Sequence, residues 1–357
     1  MSDLVVLDPG ARSLVQDMGF SGGRESGVPR SGVLDRDSLF LLNQLLDNPP
    51  DSAALEIAVT SPRLRVEGGA VRVACSGGLS GHVLRAGDKL SLPEWTAITV
   101  FPGDEVVLNS PERSGTALLG IMGGLDLPRI FGSQSTLLAS SFGGIEGRSL
   151  LAGDRLRVVG SAPSHGPALH LQGRVGALGR IRVVLGPQAE WFTPTAIETF
   201  LGQDWQVTPA LDRMGMRLSG PILQHNAQRG ADIISDGVVP GAIQVPGEGQ
   251  PIILLSDAQT IGGYPKIATI ISADLSCVAR LLPGDKLRFK AVSVPEAEAA
   301  ARDHRSALDK ISQSRTQTFT SVSAALYECN LVSGSIDAGC PDHFPGHLCP
   351  SKMGETK

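Results

Sequence analysis

The feature that most constrains the fold of this chain is the stretch Ile233 to Ser272, where short apolar runs alternate with glycines and polar residues. Short apolar runs of this kind are typical of β-strands, and glycine lets the backbone turn sharply or approach a ligand closely. Taken singly, each polar residue also suits an ordinary hairpin turn, but their density predicts a site on a β scaffold. The glycines are Gly241, Gly247, Gly249, Gly262 and Gly263, and the polar residues are Asp236, Gln244, Asp257, Gln259, Thr260, Tyr264 and Lys266.

The rest of the chain also has a predominantly β pattern, with turn residues at short intervals. Such spacing favours barrels or sandwiches over a doubly wound sheet. Helices are predicted at Leu34–Leu46, Thr193–Leu201 and Ala273–Leu282, and either Ser31 or Asp35 is available to cap the first. The predicted strands are Leu4–Leu7, Leu55–Val59, Val71–Ala74, Ala97–Phe101, Ala117–Ile121, Arg180–Leu185, Ile252–Leu255 and Ile267–Ile271.

The motif L-x-x-G-D-x-L occurs at Leu84, Leu150 and Leu281. In each copy Gly-Asp can form a tight turn that leads into a strand, so either duplication or convergent turn chemistry explains the repeat. The last two copies lie near the ends of two proposed domains, residues 1–162 and 174–295. The stretch 160–173 between them, rich in Gly, Pro and Ser, is a predicted linker. Residues 296–357 are predicted to be an atypical, flexible tail.

Composition and charge exclude several classes of protein. The formal net charge is −5 and no Lys/Arg-rich run occurs, which argues against nucleic acid as a partner. The N-terminus lacks a signal-peptide pattern and no run approaches the roughly 18 apolar residues of a membrane span, so we expect a cytoplasmic protein without membrane contact. The sequence also has no G-x-x-x-x-G-K-[ST] phosphate loop, no G-x-S-x-G elbow and no Met-Lys-Met biotin-attachment segment.

The five cysteines fall into two groups. Cys75 and Cys277 sit in apolar segments and are expected to be buried free thiols. In the tail, two cysteines and two histidines have the spacing C-x2-H-x3-H-x-C. Residues of these types can bind zinc, but the spacing differs from that of a standard zinc finger. We therefore predict no metal site. The alternative is a zinc site formed by Cys340, His343, His347 and Cys349.

The segment Ser235 to Thr269 resembles the signature of the second subunit of allophanate-hydrolase-like pairs. Further motifs stand in the family's order, so the resemblance covers roughly residues 4–292, and several long motifs in register are far more specific than one short pattern. They are Pro9–Ile57, Gly123–Thr136, Leu185–Phe192 and Asp212–Pro221. The family includes the C subunit of 5-oxoprolinase, the antagonist of a sporulation-kinase inhibitor, and the matching half of the urea carboxylase carboxyltransferase domain.

The resemblance implies that each half of the chain is a cyclophilin-like β-barrel domain with a few short helices. Two positions depart from the family's pattern. The family leads us to expect arginine at Gln134 and threonine at Ile261, so this chain lacks a guanidinium and a hydroxyl at those places. Everything after about Val294 falls outside the resemblance.

A second polar region lies near the N-terminus, in a glycine-rich loop that leads into the first predicted helix. A helix start with free N–H groups can hold an anion or carboxylate, with Arg24 as a bidentate partner, although a solvated loop with a helix cap explains the same residues. The predicted substrate-binding residues are Gln16, Asp17, Arg24, Ser31 and Asp35 here, and Asp212, Arg213, Gln244, Gln259, Thr260, Gly262, Gly263 and Tyr264 in the C-terminal half.

The predicted catalytic residues are Lys266, Asp257 and Asp236. These roles apply if the reaction is the ATP-coupled opening of a lactam. A lactam is a stable amide, and phosphorylation of its oxygen would make the carbonyl open to attack. Lys266 would steady the negative charge that develops, and Asp257 or Asp236 would position or deprotonate water. An ordinary salt-bridged surface lysine explains Lys266 as well.

The resemblance implies three functions. The first is a subunit of an ATP-dependent 5-oxoprolinase, which hydrolyses 5-oxoproline to L-glutamate together with a smaller homologous subunit and a lactam-handling third protein; ATP is then used by the complex. The second is the carboxyltransferase half of a biotin-dependent urea carboxylase or allophanate-hydrolase-type system, with biotin on a separate protein. The third is a regulatory protein that binds a kinase inhibitor without turnover. A serine-amidase mechanism is not expected.

Overall fold

The computed structural model describes residues 2–111, 114–160, 162, 168–172 and 179–318. The chain is mainly β with barrel-like sheets, which confirms the predicted fold class. The helices are α1 (Arg36–Leu45), α2 (Pro194–Gly202), α3 (Leu275–Ala279) and α4 (Val294–Gln313). The strands up to residue 170 are β1 (Ser2–Asp8), β2 (Arg12–Gln16), β3 (Ala54–Ala58), β4 (Arg63–Glu67), β5 (Val71–Ser76), β6 (Gly81–Arg85), β7 (Asp88–Leu92), β8 (Thr96–Val100), β9 (Glu105–Leu108), β10 (Ala117–Ile121), β11 (Arg155–Val158) and β12 (Ala168–His170). The later strands are β13 (Ile181–Leu185), β14 (Trp205–Leu211), β15 (Gly215–Ser219), β16 (Asp236–Gly237), β17 (Ala242–Gln244), β18 (Ile252–Leu254), β19 (Ile261–Gly262), β20 (Lys266–Ile270), β21 (Lys286–Leu287), β22 (Phe289–Ala291) and β23 (Thr316–Thr318).

Two sheets enclose the core of the N-terminal half. Their strand orders are β11-β1-β4-β9-β6-β7 and β2-β3-β10-β5-β8-β12-β23. Leu4, Val66 and Val106 of the first sheet share one apolar cluster with Ile57 and Val73 of the second. Aliphatic side chains of this kind suit a pleated surface with a buried face, which is why these runs form strands. The leucines of α1 form a separate cluster with alanines of the second sheet, so α1 covers that sheet's other face.

One eight-stranded sheet forms most of the C-terminal half, in the order β21-β14-β15-β18-β17-β20-β13-β22. Its core holds three large and fully buried aromatic side chains, Phe200, Trp205 and Phe289. The rings of Phe200 and Phe289 stack with centroids 4.5 Å apart. Helix α2 supplies Phe200, and Thr193 caps that helix by accepting the N–H of Ala196. β16 and β19 form a separate two-stranded ribbon outside this sheet.

The predicted helices correspond to α1, α2 and α3, although α3 is shorter than expected. Asp35, one of the two predicted caps, accepts the N–H of Ser38 (3.0 Å). All eight predicted strands overlap observed ones, namely β1, β3, β5, β8, β10, β13, β18 and β20. The local pattern of apolar runs and turn residues was therefore sufficient to find these elements.

The Gly-Asp repeat forms two kinds of turn. In the second and third copies, Asp154 and Asp285 accept the backbone N–H three residues earlier (2.7 and 2.8 Å), and a strand follows. A further turn of this kind, at Asp104 (2.9 Å), was missed from the sequence. The first copy differs, because Ala86 and Gly87 form the two-residue turn of the β6–β7 hairpin with positive φ at both. The first copy is thus similar to the others in sequence but not in structure.

The prediction of a flexible tail is wrong for residues 296–318. Ser293 and Glu296 form a reciprocal capping box at the N-terminus of α4, and this signal was present in the sequence. Leu308 of α4 is buried among the leucines of α1, which gives the helix an apolar face to bury. β23 then pairs with β12, so the chain returns to the N-terminal half. Residues 319–357, with the Cys and His residues of the tail, lie outside the described residues, as does half of the proposed linker, whose residues 168–170 form β12.

Buried charges join the two halves. Arg213 lies between Glu56 of β3 and Asp257, and the three side chains are each at most 5% exposed; we call them the Arg213 cluster. Arg213 donates to both oxygens of Asp257 (2.9 Å each), to Glu56, and to the carbonyl of Gly32 (2.6 Å). Glu56 also accepts the N–H of Leu34 (2.8 Å). Burial lowers the pKa of Arg213, but the two carboxylates outweigh it and hold the pKa above its usual value.

The loop before α1 is fixed to the C-terminal half by further hydrogen bonds. Asp35 pairs with Arg280 (2.6 Å), and the Ser31 N–H donates to the carbonyl of Ser256 (2.9 Å). With the Arg213 cluster, these contacts define a seam along which residues 31–37 meet the C-terminal half.

The contact between α4 and α1 includes one titratable pair. His304 Nε2 of α4 lies 3.0 Å from Asp37 Oδ2 of α1. Asp37 raises the pKa of His304 above the ordinary 6.5; burial and Arg182 oppose this, and Asp274 adds to it. Because the folded-state pKa is raised, the pair stabilises the fold fully below the unfolded value, and that contribution is lost as the pH rises through the folded value.

We expect His304→Gln to lower the free energy of unfolding by less than about 1 kcal/mol at about pH 5.5 and to have no effect at about pH 9. Urea unfolding at the two pH values measures this, with His82→Gln, in β6, as the matched control. A deficit that grows with pH would contradict the assignment.

Candidate functional site

Lys266 begins β20, and its side chain is only 3% exposed. Its Nζ donates to Asp236 Oδ2 (2.6 Å) and to the Gly237 carbonyl (2.9 Å), both in β16. A buried ammonium requires such partners because burial removes its hydration. An ammonium has three N–H donors, so within the described ranges one of them has no protein acceptor. Two of the three predicted catalytic residues, Lys266 and Asp236, therefore meet in space.

Asp236 is the solvent-exposed partner of this pair, because its side chain is 51% exposed. It accepts from Lys266, from Gln188 Nε2 (3.1 Å) and from the N–H of Gly237 (2.8 Å). These donors, Lys266 first, hold the pKa of Asp236 below its usual value. A carboxylate with a lowered pKa is a poor proton acceptor at neutral pH. The arrangement thus suits support of the Lys266 charge better than removal of a proton from water.

A cavity of about 460 Å³, here called the main cavity, lies against β14, β15, β17 and β18. Its volume falls within the range of about 300–1,000 Å³ found for small-molecule sites. The predicted substrate-binding residues that line it are Asp212, Gln244, Gln259 and Tyr264. Lys266 and Asp236 do not line this cavity, but Gln244 in β17, which does, lies opposite Lys266 in β20.

The position of the Gln244 side chain depends on the space that Gly262 leaves beside it. The side chain is 2% exposed, and its Nε2 donates to the Tyr264 carbonyl (3.3 Å). A Cβ atom at Gly262 would lie 2.6 Å from that Nε2. Glycine is therefore required at 262 for the amide to take this place.

Arg217 also lines the main cavity, and the sequence analysis missed it. In β15 it alternates with Met216 and Leu218, which are buried in the core, so its side chain projects from the opposite face. It also borders a neighbouring cavity of about 340 Å³. In the part of the chain that the structure describes, no carboxylate lies within ion-pair distance of Arg217. The alternation Met-Arg-Leu inside the motif Asp212–Pro221 was the signal that could have found it.

Asp257 does not join the Lys266–Asp236 pair. Both of its oxygens accept from Arg213, it is 5% exposed, and it does not line the main cavity. A carboxylate enclosed in this way has no room to bind and deprotonate water. The geometry therefore corrects the sequence interpretation of Asp257 as a catalytic residue and of Arg213 as a substrate ligand, because both serve the seam.

Most of the predicted substrate-binding residues of the N-terminal loop make hydrogen bonds within the protein. Asp17 accepts from the hydroxyls of Ser133 (2.5 Å) and Ser135 (2.6 Å) and from the N–H of Gln134 (2.6 Å). Gln16 and Ser31 both donate to the Thr136 carbonyl, and Asp35 caps α1. These residues are buried, and they do not line the main cavity. They are Gln16, Asp17, Ser31 and Asp35.

The two departures from the family's pattern have different consequences. Gln134, where arginine was expected, donates its Nε2 to the carbonyls of Leu125 and Leu127 (2.8 Å each). An amide therefore makes a buried backbone contact at the position where the resemblance led us to expect a guanidinium. Ile261 in β19 is 61% exposed, so the missing threonine hydroxyl leaves an apolar side chain on the surface.

Three predicted residues contribute through other contacts. Arg24 donates Nη2 to the Val238 carbonyl (2.6 Å) and borders a second cavity at the seam. Thr260 accepts the N–H of Val238 through its carbonyl (3.0 Å), and the carbonyl of Gly263 accepts the N–H of Ile233 (2.8 Å). Thr260 and Gly263 therefore shape the loops around the ribbon with their backbone.

Two further features are absent from the described ranges. They contain no group of three or more His, Cys, Asp or Glu residues arranged to hold a metal ion. No helix there is long and apolar enough to cross a membrane.

Comparisons with known proteins agree with one another. The profile of the carboxyltransferase domain, subdomains A and B, matches residues 26–291. The chain is 35% identical to the C subunit of 5-oxoprolinase from Escherichia coli (strain K12) over 304 residues, which are 85% of this chain and 95% of that protein. It is 30% identical to the urea amidolyase of Lachancea kluyveri, over 88% of this chain and 18% of that protein. The crystal structure of Kluyveromyces lactis urea carboxylase is similar, with a TM-score of 0.76, 28% identity, and coverage of 87% of this chain and 29% of that one.

The chain corresponds to nearly the whole of the E. coli protein but to less than a third of each urea-processing enzyme. The matched residues 26–291 include the ribbon, the residues of the main cavity and the Arg213 cluster. This chain belongs to the family of carboxyltransferase domains, subdomains A and B.

Proposed function

We propose that this chain is a subunit of an ATP-dependent 5-oxoprolinase, a complex that hydrolyses 5-oxoproline to L-glutamate. The observation that carries the proposal is the main cavity, which is lined by Arg217 and two primary amides, one of which, Gln244, lies opposite the buried Lys266 in the sheet. The near full-length match to the C subunit of a 5-oxoprolinase supports it. The partners in this proposal are a smaller homologous subunit and a third protein that handles the lactam.

The two amides of the main cavity suit a lactam. The N–H and C=O of a lactam point to the same side of the ring, so a primary amide can accept from one and donate to the other. Gln244 has one N–H on the Tyr264 carbonyl, which leaves its second N–H and its oxygen for a ligand. Gln259 offers a second amide in the same cavity.

Arg217 favours 5-oxoproline over urea. 5-Oxoproline carries a carboxylate at neutral pH and urea carries no charge, while a guanidinium binds a carboxylate with two parallel hydrogen bonds. The carboxylate on the same cavity wall, Asp212, is engaged with its own turn, where Oδ1 accepts from Met214 (2.8 Å) and Gly215 (3.0 Å). Arg217 is therefore the group of this cavity that is suited to a substrate anion.

In this proposal, the ammonium of Lys266 stabilises the negative charge that develops on the lactam oxygen. Two of its N–H groups are held by Asp236 and Gly237, and the third is available to point at a ligand oxygen. A fixed cation in a partly dry site stabilises a developing oxyanion without reorganisation during the reaction. Among the described residues that line the main cavity, Arg217 is the one cation, and the sequence has no phosphate loop, so these residues fit the lactam rather than a nucleotide. ATP would activate the lactam oxygen and belongs to the complex as a whole.

We expect Lys266→Met to lower ATP-dependent glutamate release by about 100- to 1,000-fold, because it removes a donor to the developing charge. The measurement uses the complex co-purified from cells that express this chain with its smaller homologue and the lactam-handling protein. Lys286→Met, which removes an exposed lysine of β21 in the same half, is the matched control.

Size-exclusion chromatography of each preparation establishes that the subunits remain together. Wild-type rates for Lys266→Met in an assembled complex would remove Lys266 from the mechanism.

We expect Arg217→Gln to raise KM for 5-oxoproline by about 10- to 100-fold with little change in kcat, because a charged hydrogen bond contributes about 1.5–3 kcal/mol in ground and transition state alike. Steady-state kinetics of the same complex measures both constants. Arg302→Gln, at an exposed position of α4, is the control. A lowered kcat with unchanged KM would place Arg217 elsewhere than on the substrate carboxylate.

The second candidate is the carboxyltransferase half of a biotin-dependent system that acts on urea or a related amide. The family profile and the fold of the K. lactis urea carboxylase favour it. In that case the main cavity takes the amide and biotin arrives on a separate protein. Failure of the verified complex to release glutamate, together with carboxylation of urea when a biotinylated carrier and a biotin carboxylase are added, would select this function.

A further inference from the structure

A second cavity lies on the seam, and Lys266 is not among its lining residues. It holds about 210 Å³ and is lined by Arg24, Arg30 and Arg36 together with Ser256 and apolar side chains. None of the described residues that line it is acidic. We call it the seam cavity.

The three arginines have few protein partners. Arg24 donates to the Val238 carbonyl (2.6 Å) and Arg36 to the Met18 carbonyl (3.0 Å), which positions both side chains but neutralises neither. Arg30 makes no side-chain hydrogen bond within the described ranges. For the same ranges, no carboxylate lies within ion-pair distance of any of the three, whereas Arg63 of the same half is paired with Glu105.

Bringing these cations together has an electrostatic cost. Partial burial, and then the charge of Arg24, lower the pKa of Arg30, although part of the Arg30 side chain stays exposed to solvent. Burial, and then Arg30, lower the pKa of Arg36 to about 10, against the opposing effect of Asp17 and Asp37. Arginine side chains carry a positive charge at neutral pH, so the three guanidinium groups repel one another. Proteins retain such like-charge clusters where a bound anion offsets the repulsion.

We propose that the seam cavity binds a phosphate-type oxyanion on the guanidinium groups of Arg24, Arg30 and Arg36. Guanidinium forks match the oxygen spacing of phosphate, and the three positive charges more than offset its double negative charge. The volume is below the range of about 300–1,000 Å³ for drug-sized ligands, so the site takes a free small anion or the terminal phosphate of a larger one.

The seam cavity is connected to the functional site through one short segment. Arg24 holds the carbonyl of Val238, which directly follows Gly237, and Gly237 accepts from Lys266. Val239, Pro240 and Gly241 continue along the cavity wall. An anion on the arginines therefore lies against the segment that positions the carbonyl beside Lys266.

The test is isothermal titration of the full-length isolated chain with inorganic phosphate, at an ionic strength held constant with chloride. We expect saturable binding of one phosphate. Arg30→Gln and Arg36→Gln should each weaken it by about 10- to 100-fold, the equivalent of one charged hydrogen bond. Arg302→Gln, which removes a positive charge from the exposed face of α4, should bind as the wild type does.

Arg30→Gln changes an exposed side chain that has no hydrogen bond in the described ranges, so loss of binding in that variant does not report unfolding. A parallel titration with ATP distinguishes the two sources of the anion. Tighter binding of ATP with the same dependence on Arg30 and Arg36 assigns the site to a terminal phosphate, and binding of phosphate alone assigns it to the free anion. Absence of saturable binding, or binding that is unchanged in both arginine variants, would overturn the proposal. No turnover is measured, so the outcome is independent of the proposed activity.

Discussion

One buried guanidinium holds the two halves of this protein in register. Arg213 follows β14, yet it is paired with Glu56 of β3, 157 positions away, and with Asp257, 44 positions away. Without the cation, two carboxylates would face each other away from water, which is far less stable than an assembled cluster. Because Arg213 and Glu56 also bond Gly32 and Leu34, the same cluster fixes the chain that leads into α1. The seam cavity depends on that chain.

The protein thus uses its buried charges in two different ways. The Arg213 cluster is closed, since its carboxylate and guanidinium groups are directed at protein partners. The Lys266–Asp236 pair is open on one side, because half of the Asp236 side chain is exposed and one N–H of Lys266 has no acceptor in the described ranges. The Arg213 cluster therefore fixes the position of the two halves, whereas the Lys266–Asp236 pair leaves a hydrogen-bond donor available to a ligand. The amides of Gln244 and Gln259 offer further hydrogen-bonding groups in the main cavity.

Local sequence was sufficient for the elements whose signals are local. Eight of the strands, the first three helices and four polar residues of the main cavity, Asp212, Gln244, Gln259 and Tyr264, follow from apolar runs, caps and glycine-rich turns. The role of Asp257 was not accessible in this way, because it depends on a partner that only the folded chain brings near. Helix α4 was missed for a different reason. Its capping residues Ser293 and Glu296 were visible, but the family resemblance ended there and the remainder was assigned to a tail.

Arg217 shows a further limit of the same kind. Its position between Met216 and Leu218 identifies a face of β15, but the sequence does not show that this face borders a cavity. The three arginines of the seam cavity are likewise spread over thirteen positions, from Arg24 to Arg36, and converge because the loop before α1 is pinned to the C-terminal half. Arginines with no carboxylate within ion-pair distance in the described ranges are the feature by which the structure reveals both cavities.

The central claim is that Arg213 is a structural charge and Lys266 a functional one. The most direct measurement is the free energy of unfolding of Arg213→Met and Lys266→Met, determined side by side in urea. We expect the first to lose about 3–5 kcal/mol, because two buried carboxylates are left without their cation. The second should stay within about 1 kcal/mol of the wild type, because the carboxylate it leaves is exposed to water. A loss for Lys266→Met as large as that for Arg213→Met would show that Lys266 belongs to the scaffold and would contradict the account.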